Sequence, residues 1–220
     1  MKKMLVYLLA LCVLFGMTAF AEGSGNEVET IQFRGLDWYS DKATVEDAMS
    51  EFEPIKYVSL DDTAFKYGPV INYKDVPVAG HKFEAEISFL YASEDGEVDY
   101  NEESAQMYHA QYVCRVTRVE ANPEDIDALY DELVSKMTGL YGEGSAEEYD
   151  INVISKVPMW VATVWEASDG SACAVEKVYS YLGSKYTELY VDYYAPGDRD
   201  RLDALDALFS AENAGNVDGL

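Results

Sequence analysis

The strict alternation over residues 83–91 constrains this chain more than any other feature. Phe83, Ala85, Ile87, Phe89 and Tyr91 fall on one side of an extended backbone, and Glu84, Glu86 and Ser88 on the other. Successive side chains of a strand point to opposite faces, so one face here is packed and the other wet, as in an antiparallel sheet. A second stripe follows an acidic loop. Tyr108, Ala110, Tyr112, Cys114 and Val116 are opposed by His109, Gln111, Arg115 and Thr117. Shorter strands are expected at 31–33 and 56–60, and at 65–73, where Gly68-Pro69 suggests an edge or a bend. Three more are expected at 160–167, 172–181 and 186–194, joined through Asp169-Gly170 and Gly183-Ser184.

Helical spacing frames these runs. Asp41 is placed to cap a helix carrying Val45, Ala48, Met49 and Phe52 on one face, which Pro54 ends. Asn122-Pro123-Glu124-Asp125 is a capping residue, a proline at the first helical position and acids that suit the helix dipole. Ile126, Leu129, Tyr130, Leu133, Met137 and Leu140 give that helix its buried face, and Gly142 stops it. Asp198 opens a last helix with Leu202, Leu205, Leu208 and Phe209 inward. Helix followed by antiparallel strands, twice over, predicts an α+β fold of two tandem helix-plus-antiparallel-meander units with a C-terminal helix. The expected divisions are a polar leader at 22–30, a first unit at 31–120, a second unit with its closing helix at 121–210, and a flexible tail at 211–220.

Residues 1–21 read as a cleavable secretory signal peptide. Lys2 and Lys3 precede an apolar run, and Ala19-Phe20-Ala21 supplies the small-x-small cleavage pattern before Glu22. Cys12 follows Leu11 inside that run, so it lacks the small residue a lipid-attachment site needs. The expected location is secreted or extracytoplasmic, with no membrane span left after cleavage. Losing two lysines takes the formal charge from −25 to −27. Such a charge repels nucleic acid and anionic lipid, and leaves basic partners as the electrostatic match. Two cysteines remain, Cys114 and Cys173. Export and an even number favour a disulfide, whereas apolar strand surroundings suit two free thiols, and both arrangements stay open.

The segment Phe33-Arg34-Gly35-Leu36-Asp37-Trp38, with Asp41 and Val45, resembles the opening of a group of uncharacterised secreted proteins of Gram-positive bacteria, whose pattern is Phe-Arg-Gly-Ile-Pro-Trp-Gly. Val78-Ala79-Gly80, the run from Leu129 to Leu133, the Tyr141-Gly142-Glu143 helix stop and Trp165-Glu166 look like the same group. Asp37, Tyr39 and Gly144 depart from its Pro, Gly and Pro. The expected architecture is similar to the β-lactamase inhibitory protein and the small outer-membrane assembly lipoprotein fold. That resemblance implies binding or scaffolding rather than catalysis. The secreted group supplies no functional residues to carry over.

The catalytic inventory is sparse. His81 and His109 are the two histidines, there is no Gly-x-Ser-x-Gly elbow, and both mature cysteines sit in strands. No phosphate-cradling loop, zinc helix or dinucleotide fingerprint appears, so no cofactor is expected. The acidic loop at 94–103 offers oxygen ligands, but Tyr100 stands where the EF-hand template needs glycine, which favours a solvated loop and no assigned metal. The most suggestive surface is aromatic and acidic. With Leu189, Val191 and Tyr193 inward, Tyr186, Glu188, Tyr190, Asp192 and Tyr194 are expected together on the other face, joined by Glu84 and Glu86. A non-catalytic binding or envelope-associated module is therefore expected, its partner a protein or a cell-wall or surface ligand of basic character. The alternative is a secreted hydrolase using acidic residues, since glycoside hydrolysis needs only two carboxylates at a set separation.

Overall fold

A computed structural model of the chain describes residues 28–55, 67–91, 93–94, 97–98, 102–115, 123–151, 158–179 and 186–199. The signal segment, the strand expected at 56–60, the core of the acidic loop, the apolar positions of the closing helix and the tail lie outside those residues. In chain order the elements are α1 (Lys42–Ala48), β1 (Glu53–Ile55), β2 (Tyr67–Val78), β3 (His81–Leu90), β4 (Ser93–Glu94), β5 (Glu97–Val98) and β6 (Gln106–Arg115). Then come α2 (Pro123–Tyr141), β7 (Ser145–Ile151), β8 (Pro158–Glu166), β9 (Ala172–Tyr179) and β10 (Tyr186–Tyr194). Eight strands form one antiparallel sheet in the order β1-β2-β3-β6-β10-β9-β8-β7, while β4 and β5 pair separately.

This arrangement corrects the expected fold class. The described chain is mostly a single eight-stranded antiparallel sheet with two α-helices, not two tandem helix-plus-meander units, and the expected C-terminal helix falls largely outside the described residues. The reason lies in β6 and β10. Each carries an alternating stripe that leaves it able to pair on both sides, and they join in register from Glu188↔Arg115 to Tyr194↔His109. One apolar cluster then runs beneath both halves, from Val76 and Phe83 through Tyr112 to Val175 and Val191.

Local chemistry explains most of the elements. Asp41 caps α1, its carboxylate accepting from the Thr44 backbone N–H at 2.7 Å. That hydrogen bond holds its pKa below the ordinary carboxylate value. Ala79 and Gly80 both have positive φ, 51° and 89°, as a two-residue type I′ hairpin between β2 and β3 requires. In α2 the buried residues Ile126, Leu129, Tyr130, Leu133 and Met137 keep the i, i+3, i+4 spacing and lie over β9 and β10. Gly142, with φ of 84°, ends the helix, its N–H bonding the Thr138 carbonyl.

Two strand expectations also change. Ile31 and Phe33 are fully buried but belong to no strand. The chain instead turns back after Phe33, with Arg34 and Gly35 both at positive φ and the Leu36 N–H closing on the Phe33 carbonyl at 3.0 Å. Phe33 thereby drops its ring between Tyr112 of β6 and Tyr193 of β10, at 5.1 and 5.6 Å between centroids. The second change is β7. Its sequence, Ser-Ala-Glu-Glu-Tyr-Asp-Ile, lacks a strand signature because it is an edge strand, where charge is favoured over apolar alternation.

Candidate functional site

Antiparallel register places directly opposed residues on the same face, so the sheet can be read row by row. On the face turned away from α2, one row runs Asn72–Glu86–Gln111–Asp192–Ala174–Val164 across β2, β3, β6, β10, β9 and β8. The next row holds Glu84, Val113, Tyr190, Glu176 and Ala162, and the one beyond it Arg115, Glu188, Val178 and Trp160. On the other side lie Ser88, His109, Tyr194 and Ala172. Glu84, Glu86, Glu188, Tyr190, Asp192 and Tyr194 are therefore brought to one face.

Tyr186 is not. The register between β10 and β9 slips between Tyr186 and Glu188, and this bulge sends Tyr186 to the helix side. There the Lys177 ammonium lies 4.6 Å from the Tyr186 ring centroid and 4.7 Å from that of Tyr130, and bonds Asp127 of α2 at 2.5 Å. Tyr186 also donates to the Pro158 carbonyl at 3.2 Å. It is part of the packing between α2 and the sheet. A single extra residue in a ladder inverts every following side chain, and nothing in the spacing of residues 186–194 announces it.

The face has three zones. Over β8 and β9, Ala162, Val164 and Ala174 form a small buried cluster with Tyr194 packed against it. At one side His109 and Asp192 are joined Nε2 to Oδ1 at 3.1 Å, their side chains only 14% and 8% exposed. The His109 ring lies 5.0 Å from that of Tyr194. The third zone is open and centres on Arg115. Its Nη1 donates to Glu84 at 3.3 Å and its Nη2 to Glu86 at 3.4 Å, with its side chain 47% exposed. Gln111 Nε2 donates to the other oxygen of Glu86 at 3.0 Å.

Tyr190 borders this zone. Its hydroxyl donates to Glu188, and its ring stacks on Trp160 with centroids 6.2 Å apart and planes 27° from parallel. Partial burial, then the hydrogen bond to Glu188 and that carboxylate's charge, push the phenol far above its ordinary pKa, so it stays a neutral donor. For Arg115, burial works against the charged form. The neighbouring Glu86 and Glu188 carboxylates outweigh it and keep the guanidinium protonated more firmly than usual. An open groove of about 250 Å³ runs beside Arg115 and Glu84 toward Lys74 and Lys82, whose charges are met by Glu53 at 2.9 Å and Asp75 at 3.2 Å. The local surplus is thus negative: three carboxylates surround one guanidinium.

Other expectations resolve plainly. Cys114 and Cys173 are both free. They lie opposite Leu189 and Tyr193 of β10, on strands two apart and four residues out of step, far beyond the ~7 Å Cα separation a disulfide can span. Burial raises the pKa of both thiols, for Cys173 with the Asp192 charge adding to it. His81 begins β3, exposed, 3.5 Å from Glu132. Among the described residues no group of His, Cys, Asp and Glu is arranged to hold a metal ion. Sequence reading of the site missed Asn72 and Trp160. Arg115 and Gln111 were visible on the polar side of β6, and Glu84 and Glu86 on that of β3, but the pairing between them was not. The chain as a whole matches no family model, no curated protein and no solved structure.

Proposed function

We propose that the protein is an extracytoplasmic, non-catalytic binding module that engages a basic partner through the Trp160–Tyr190–Glu188 edge of this face. One observation carries the reading: a half-buried stacked aromatic pair adjoins three carboxylates on one face of the sheet. Aromatic rings supply contact area and a negative π-face for cations, while the carboxylates supply charge and hydrogen-bond acceptors. Glu84 and Glu86 converge on Arg115 rather than facing one another across a cleft, so no acid–base pair forms there. The signal-like residues 1–21 and the resemblance of residues 33–45 to secreted proteins of Gram-positive bacteria support export.

The test is calorimetric titration of the purified protein with a lysine- and arginine-rich peptide and with an acidic peptide of equal length. Binding of the basic peptide alone is expected, weakened at least tenfold by Tyr190→Ala or Trp160→Ala and by raising salt above physiological strength. Equal binding of both peptides, or indifference to both substitutions, refutes the reading.

A further inference from the structure

Among the described arginines, Arg115 is the one left half exposed. Arg34, Lys177 and Arg199 have their side chains largely buried in packing contacts, whereas Arg115 is half exposed and reaches Glu84 and Glu86 through contacts of 3.3 and 3.4 Å, longer than strong charge-assisted bonds. Half-exposed ion pairs of this kind contribute little to folding, so the seat can be vacated without unfolding the sheet. Its surroundings nevertheless suit a guanidinium: two carboxylates across one edge, and Tyr190 and Glu188 beside it.

A second observation points to a missing donor. Asn72 lies opposite Glu86 on the same face, about one strand spacing (~5 Å) away. It is only 8% exposed, and its Oδ1 accepts no hydrogen bond. A buried carbonyl without a donor is disfavoured by more than an ordinary hydrogen bond gains, so it marks where a donor belongs. The Arg115 guanidinium is committed one strand further on, to Glu84 and Glu86.

We propose that Glu84, Glu86 and Asn72 form a seat for an arginine side chain of a basic polypeptide partner, and that Arg115 is its built-in competitor, swinging out when the partner's guanidinium enters. The incoming fork bonds Glu86, which Arg115 releases, and supplies the donor Asn72 lacks. Lysine fits less well, because one ammonium cannot span carboxylate and amide as a planar fork does. A competitor that occupies the seat lowers the apparent affinity by the fraction of time the seat is free, so removing it raises affinity.

This rests on the binding reading above, and calorimetry with hexa-arginine and hexa-lysine separates the two. The variants are Arg115→Gln, Asn72→Leu, Tyr190→Ala, and Lys136→Gln as a control for loss of one positive charge on the far-side helix. The proposal expects hexa-arginine to bind more tightly than hexa-lysine, and Arg115→Gln to tighten hexa-arginine by about threefold or more beyond any change in Lys136→Gln. Asn72→Leu weakens hexa-arginine and leaves hexa-lysine unchanged. Should Asn72→Leu fail to fold, the arginine variant decides alone. If Arg115→Gln weakens binding or merely matches the control while Tyr190→Ala still abolishes it, the competitor proposal is overturned and the binding reading stands. If the unmodified protein binds neither peptide, both fall.

Discussion

Phe33→Ala tests whether the molecule has one core or two. Phe33 is fully buried and touches ring faces on β6 and β10, the strands at which the two halves of the sheet meet. Losing the transfer free energy of a buried phenyl group accounts for about 2–3 kcal/mol. Two aromatic contacts add roughly 0.5–1.5 kcal/mol each, and partial collapse of the surroundings into the cavity keeps the total near the 3–5 kcal/mol typical of such truncations. Phe33→Leu, which preserves most of the volume, should lose only about 1–1.5 kcal/mol. The assay is urea unfolding followed by tryptophan fluorescence and by far-UV circular dichroism. Trp38 reports the N-terminal segment, Trp160 and Trp165 report the second half of the sheet, and the dichroism reports the whole. Because the ring bridges both halves, the two signals should move together to a lower midpoint with unchanged slope. A loss below about 1 kcal/mol, or two separated transitions in the variant, would show that the shared core is not what holds the halves together.

Hydrogen bonds at the β8–β9 turn and tyrosines buried in the sheet set further outcomes. Ser171 Oγ accepts from the Ile31 N–H at 2.7 Å and donates to Asp169 at 2.6 Å, tying the N-terminal segment to the β8–β9 turn. Ser171→Ala leaves that buried amide unsatisfied and should lose about 1–3 kcal/mol, with Ile31 amide hydrogen exchange accelerating well before that of β10. For Asp169, burial alone would raise the pKa, but the Ser171 hydroxyl and backbone N–H lower it overall. Its stabilising contribution is therefore complete above the unfolded carboxylate value and lost as pH falls through the lower folded value. Asp169→Asn should flatten that part of the acid-unfolding curve, and an unchanged acid limb counts against the assignment. Tyr112, Tyr190 and Tyr193 are all held above the ordinary phenol pKa, burial being the first cause for each. Their contribution is complete below the unfolded value and lost as pH rises past it. Tyrosinate absorbance near pH 11 should fall short of the 18 tyrosines present until the protein unfolds, whereas a full smooth titration near pH 10 refutes their burial.

Much of the local structure was legible because it depends on neighbours in sequence. Asp41, Pro123 and Gly142 act on their own helices, and the alternation of residues 83–91 and 108–117 identifies β3 and β6 from side-chain period alone. The assembly was not legible. Whether two meanders remain apart or merge is decided by Cys114 meeting Leu189 and Tyr112 meeting Val191, pairings that local pattern does not encode. The same limit divided the site. Glu84, Glu86 and the polar side of β10 follow from period two, but Trp160 reaches Tyr190 only through the combined registers of β8, β9 and β10. Tyr186 failed for the opposite reason: period two was extended through a bulge that interrupts it. Ile31 and Phe33 looked like a strand because burial of alternate residues does not require a ladder partner.

The pairing of β6 with β10 also sets when the molecule can be finished. Among the described residues, the last strand made lies in the interior of the sheet, with its neighbours on both sides already present and waiting. His109 and Asp192, which meet across that seam, are 83 positions apart in the chain. Until residues 186–194 emerge, β6 and β9 each carry a bare hydrogen-bonding edge, and the four-strand and three-strand pieces have no ladder between them. Assembly therefore resembles closing a zip from its final tooth, a non-local step that slows folding and lengthens the window for mispairing. A premature stop before residue 186 removes the keystone rather than trimming the rim.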